Sequence, residues 1–210
     1  MKGLSQLKQS KSNDKNKVVR DQILQAAKQL FAKKGYEGTT VRQICNEANV
    51  SLALVSYHFG GKENVFFEMF EPIRQLFANM KYDLSDPLGA LTTFCRQFVI
   101  FRNEEHELIS ILQQELVMNS PRLEKLTDVF FPSWEQLRLI LKECHEENVI
   151  QFPSIDLAVN FAMGTLMHSF NISFLNRNQS KFTPEQVADL AVSFIINGLT
   201  STHMGRGRER

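Results

Sequence analysis

The stretch TVRQICNEANVSLALVSYHF, residues 40 to 59, decides how the chain is read. Thr40 and Gln43 stand at the spacing of a capping box, in which each side chain takes the backbone N–H of the other. Val41, Ile44, Cys45 and Ala48 follow at i, i+3, i+4 and i+7, which gives a short helix one apolar face. Ser51 is placed to cap a second short helix, with Val50 and Val55 at the positions of a hydrophobic staple. Only about two turns fit before Gly60 and Gly61 end it. Two short helices joined by a tight turn describe a helix-turn-helix, whose second member lies in the major groove of DNA.

Outward from this stretch, helical spacing recurs and no segment alternates with period two, so the chain reads as all-α. A preceding helix at 18–33 carries Val19, Ile23, Ala27, Leu30 and Phe31 on one stripe and stops at Lys33-Lys34-Gly35. A long helix from about Lys62 bears Val65, Phe66, Met69, Phe70, Ile73 and Phe77, and Pro72 must kink or break it. Further helices are predicted at 88–102, 105–118, 122–148 (interrupted near Pro132), 155–176 and 184–199. Thr183, Pro184 and Gln186 mark the start of the last. The expected architecture is an N-terminal three-helix helix-turn-helix domain, 18–62, followed by a C-terminal helical ligand-binding and dimerisation domain, 63–199. A disordered basic arm, 1–17, and a disordered tail, 200–210, are expected to flank them.

The 210 residues are 43% apolar, enough to build a real core, and carry a formal net charge of +1. That near balance conceals an asymmetry. Residues 1–66 hold 11 Lys and Arg against 5 Asp and Glu, and the remainder is acidic, so the N-terminal third suits a polyanion. Cys45, Cys95 and Cys144 are odd in number and scattered, which fits a reducing compartment. No membrane span and no apolar signal-peptide core are apparent, and a cytoplasmic location is expected.

Residues 20–66 resemble the DNA-binding domain of the tetracycline-repressor (TetR) family of bacterial transcription regulators. The likeness rests on ILQAAKQLF (23–31), GYEGTTVRQI (35–44), the Val50-Ser51 cap and YHFGGKE (57–63), in order and without a gap. The resemblance covers about the first third and implies a homodimer whose paired helices read a roughly palindromic double-stranded operator. It further implies a C-terminal domain that dimerises and holds an inducer. Carried over by position, Thr40, Arg42, Tyr57, His58 and Lys62 fall where phosphates are contacted, and Ser51, Leu52, Ala53 and Ser56 where bases are faced. The chain departs from the family at the reading positions. Leu52 and Leu54 replace a basic and a polar residue, Ser56 replaces an aromatic one, and no Lys, Arg, Asn or Gln precedes Tyr57 in the helix.

Beyond residue 63, Phe94, Phe98, Phe101, Met118, Phe130, Trp134, Met163 and Met167, with His168 and Asn171 as polar fixtures, are candidates to line a pocket for a small hydrophobic effector. The same spacings also suit a plain core. Phe161, Gly164, Thr165, His168, Ala191, Phe194, Ile195 and Gly198 are candidates for the homodimer interface, because the last two helices are apolar around most of their circumference. Catalysis has no visible apparatus. The residues three before His106, His145 and His168 are Asn103, Lys142 and Thr165, so the Glu-x-x-His pattern of di-metal bundles is missing and neither metal nor cofactor is expected. The function expected is a sequence-specific regulator, a repressor released by its ligand. A DNA-bound adaptor controlled by a protein partner is the alternative.

Overall fold

The computed structural model describes residues 2–168 and 182–199, with side chains from Lys15 onward. All regular structure among them is helical: α1 (Lys2–Lys34), α2 (Val41–Glu47), α3 (Leu52–Phe59), α4 (Lys62–Glu68), α5 (Glu71–Asn79), α6 (Pro87–Glu104), α7 (His106–Met118), α8 (Leu123–Glu146), α9 (Ile155–His168) and α10 (Pro184–Leu199). Within the described residues, two compact units form that do not follow chain order. The first joins Met1–Leu76 to Glu107–Val129, and the second joins Phe77–His106 to Phe130–Arg210.

In the first unit, Ile23, Ala27 and Phe31 of α1 meet Ile44 of α2, Val55 and Phe59 of α3, and Val65 and Phe66 of α4 in one buried core. Phe66 is its centre, in edge contact with Phe31, Tyr36, Phe67 and Phe70. The capping box at Thr40 forms as expected: the Gln43 N–H donates to Thr40 Oγ1 at 3.3 Å and the Thr40 N–H to Gln43 Oε1 at 2.9 Å. Ser51 occupies the cap position of α3 in extended backbone, but its side chain makes no capping bond. Asn49 turns the chain between the two helices with φ 54°, a left-handed conformation that Asn tolerates better than other side chains.

Of two N-terminal expectations, one is corrected and the other, a kink or break at Pro72, is met as a break. Residues 2–17, expected as a disordered arm, belong to α1. From Leu4 to Lys34 the sequence has neither Gly nor Pro and is rich in Lys, Gln, Leu and Ala, so nothing stops the helix from extending backward. The long helix from Lys62 is two helices. It breaks at Met69 and Phe70, just before Pro72, which then sits at the tolerated start of α5.

In the second unit, α10 packs chiefly on α6, with α9 against both. Asp86 caps α6 by accepting the Gly89 N–H at 3.0 Å, with Pro87 at its first position. The box expected at α10 is present, with Gln186 N–H to Thr183 Oγ1 at 3.3 Å and Thr183 N–H to Gln186 Oε1 at 2.9 Å. Pro132 does not interrupt α8. It removes one backbone donor at an exposed position, while Leu137, Ile140 and Leu141 anchor the turns that follow. Residues 169–176 of the helix predicted at 155–176, Asn171 among them, and the tail 200–210 lie outside the described residues.

Candidate nucleic-acid interface

Burial decides which face of α3 is available. Val55 and Phe59, four apart, point into the core and hold the helix by its inner side. That leaves Leu52 (51% exposed), Ala53, Ser56 and Tyr57 (75% exposed) together on the open side, with Ser51 at its leading end. The far end is clamped by Arg20 of α1. Its Nη1 donates to the His58 carbonyl at 3.2 Å, its guanidinium lies 4.7 Å from the Phe59 ring centre, and it pairs with Glu68. Gly60, at φ 74°, ends α3 by donating its N–H to the Ser56 carbonyl at 2.9 Å, a left-handed cap that costs a glycine little.

The residues expected at phosphates divide into two groups. Thr40, Arg42 and Tyr57 are exposed, as such contact requires. His58 is not aimed outward: it is half-buried against Tyr57 and Phe59, and its Nε2 is buried without a hydrogen-bond partner.

Lys62 is engaged elsewhere. Its ammonium donates to the carbonyls of Tyr36 and Thr39, both at 3.0 Å, and lies 3.9 Å from the centre of the Tyr36 ring. It therefore fastens the turn from α1 to α2. Gly38 in that turn has no room for a side chain, since an added Cβ would sit 2.3 Å from the Lys34 carbonyl oxygen. Replacing Lys62 by Met removes two charge-assisted hydrogen bonds and should cost about 1.5–3 kcal/mol of folding free energy. Urea midpoints check this. An unshifted midpoint together with weakened DNA binding would return Lys62 to a phosphate role.

A feature that sequence reasoning missed also lies at Tyr36. Arg122, between α7 and α8, lies over that ring at 3.8 Å from its centre, so the ring has two cationic neighbours. Arg122 also donates through Nε to buried Glu115 at 2.9 Å and through Nη1 to Glu37 at 3.0 Å, and the Ser120 hydroxyl donates to Glu115 as well. Burial, opposed by the Arg122 charge, raises the Tyr36 phenol above its ordinary value. Gln114 adds a tie to the same turn by donating to the Ala32 carbonyl at 2.8 Å. No local motif signals these contacts, since Arg122 is far along the chain from Tyr36.

In the second unit, the five aromatic residues expected to line a pocket come together as a ring cluster, joined through Phe77. Phe94 stacks on Phe98, Phe98 meets Phe101 edge-on, and Phe130 stacks on Trp134 at 6.2 Å. Met167 is buried, Met163 is half-buried and His168 is exposed. Met118 is not part of the cluster. It belongs to the first unit, 76% exposed at the end of α7, where it lines an open groove with Tyr36 and Gln114. Of the dimer candidates, Phe161 and Phe194 are 66% and 68% exposed, and His168 and Gly198 are exposed too. Gly164 and Thr165 are half-buried, and Gly164 and Gly198 have open space where a Cβ would stand. With Ala162, Phe161 and Phe194 border a hollow of about 240 Å³. Ala191 and Ile195 are corrected: both are buried within the chain. On a helix apolar all round, periodicity does not say which side faces inward.

Residues 23–69 match the model for bacterial regulatory proteins of the tetR family. Over most of its length the chain is similar to HlyIIR, a hemolysin II transcriptional regulator, with a TM-score of 0.73 at 30% identity, covering 89% of this chain and 99% of that one. It is also similar to the transcriptional repressor NicS of Pseudomonas putida, 33% identical over 46% of this chain and 48% of NicS. A third relative is the transcriptional regulator LmrA of Bacillus subtilis, 32% identical over 55% of this chain and 66% of LmrA. The match thus spans about half to two thirds of these two curated relatives. With the helix-turn-helix, its open second helix and the likeness to HlyIIR together, the chain belongs to the tetR family of bacterial regulatory proteins and is a DNA-binding regulator of transcription.

Proposed function

We propose that the chain is a transcriptional repressor that binds a roughly palindromic operator as a homodimer and is released by a small hydrophobic ligand held in the second unit. The observation that carries the reading is the open face of α3, where Leu52 and Tyr57 stand free while Val55 and Phe59 are sealed inside. Tyr57 on that face, with Thr40 and Arg42 of the preceding helix and its cap, supplies hydroxyls and a charge for the DNA backbone. Two such helices reach successive major grooves when they are about 34–36 Å apart. A ligand that prefers another separation weakens DNA binding by its differential affinity for the two states. The ring cluster of Phe94, Phe98, Phe101, Phe130 and Trp134 supplies the apolar wall for such a ligand, and the name of NicS, a repressor, supports the direction of control.

Selection of bound duplexes from a random pool, followed by a salt titration, tests the DNA reading. The logarithm of the binding constant should fall linearly with the logarithm of salt concentration, by about 0.9 per neutralised phosphate. Arg42→Ala, which removes one contact from each protomer, should flatten that slope by about two units and leave the selected sequence unchanged. Failure to enrich any sequence would overturn the proposal.

A further inference from the structure

The open face of α3 has an unusual chemistry for a reading surface. Its members are Leu52, Ala53, Ser56 and Tyr57, with Ser51 leading, and none carries a forked donor. Guanine is specified in the major groove by paired donors from Arg or Lys, and adenine by the amide of Asn or Gln. Arg20 is held at the far end of α3 by the His58 carbonyl and Glu68, and the exposed Arg42 is in the first turn of α2, the helix that crosses the DNA backbone and does not enter the groove. Two bulky or methyl-bearing side chains remain at the leading end, Leu52 and Ala53. Beside them is the Ser51 hydroxyl, which is not engaged in capping its helix.

Laid over a G·C pair, Leu52 would cover the guanine O6 and cytosine amino groups and leave them without partners. Over an A·T pair the outermost atom of the edge is the C5-methyl of thymine, which an isobutyl side chain covers without loss. A single hydroxyl donating to thymine O4 completes the contact.

Resting on the reading of α3 as the recognition helix, we infer that the operator half-site is A/T-rich and is specified by thymine methyl groups packed against Leu52 and Ala53, with the Ser51 hydroxyl as the polar fixture.

The test uses the full chain and a half-site selected from random duplex DNA. Replacing each thymine that faces α3 by deoxyuridine deletes one methyl and keeps the pairing. Affinity should fall about fourfold per methyl, the transfer worth of one methylene expressed as a ratio. Leu52→Ala should weaken the thymine site by a similar factor and abolish the penalty for uracil at one position. Because Leu52 is half exposed and Ala favours helix, this variant should unfold at the temperature of the parent. Installing 5-methylcytosine in a cytosine-containing site should recover part of the affinity. G/C-rich selected half-sites, or A/T-rich ones indifferent to uracil, would overturn the inference and leave the DNA-binding reading standing. No enrichment of any sequence would overturn both.

Discussion

Arg122→Ala should lower the folding free energy by about 3–5 kcal/mol, the cost of leaving a buried carboxylate without its counterion. The Glu115 side chain is only 6% exposed, and its oxygens are satisfied by the Arg122 guanidinium and the Ser120 hydroxyl. Taking the guanidinium away strands the charge and also strips the Tyr36 ring of one of its two cationic neighbours. A surface arginine would cost no more than about 0.5 kcal/mol, so the size of the effect separates the two descriptions. The double variant Glu115→Gln with Arg122→Met should recover much of the loss, because a buried ion pair replaced as a whole by uncharged groups of similar volume is close to neutral. Urea unfolding followed by circular dichroism measures both. A single variant within about 0.5 kcal/mol of the parent would show that the pair is solvated and unimportant.

Converting Phe161 and Phe194 together to Glu should break the homodimer and weaken operator binding by about 10²–10⁴-fold. That is the advantage of presenting the second helix-turn-helix on the same particle as the first. Both rings are exposed on the outer faces of α9 and α10, with Leu157 and Leu190 beside them. Acidic replacements should therefore leave the fold intact while making burial against a second copy prohibitive. Light scattering at micromolar concentration should report a monomer, and affinity for an isolated half-site should be unchanged. A dimeric double variant, or a monomeric parent, would remove this face from the interface.

Local chemistry was legible in the sequence, and contacts between distant residues were not. The capping boxes at Thr40 and Thr183 form at the positions where their spacing places them, because a cap is settled within four residues. The helix-turn-helix follows from the Thr40 box and from the 3.6-residue period of its inner positions. The start of α1 was misplaced because no cap or breaker marks a boundary near residue 18. Lys62 was assigned to phosphate by position alone, and its engagement with the turn at Tyr36 depends on a fold that brings together residues 26 apart. The partition of α10 into inner Ala191 and Ile195 and outer Phe194 is a decision of packing, since apolar residues on every side leave no stripe to read.

The lone indole, Trp134, stacks on Phe130 in the second unit, and the first unit has none. Intrinsic emission excited at the red edge therefore reports only on the aromatic cluster: quenching on adding a candidate effector locates it near that ring, while loosening around Tyr36 passes unseen. Trp134 emission thus follows the second unit alone, whereas a far-ultraviolet melt of the same sample follows the helices of both units, and a gap between the two transitions shows that the units do not open together.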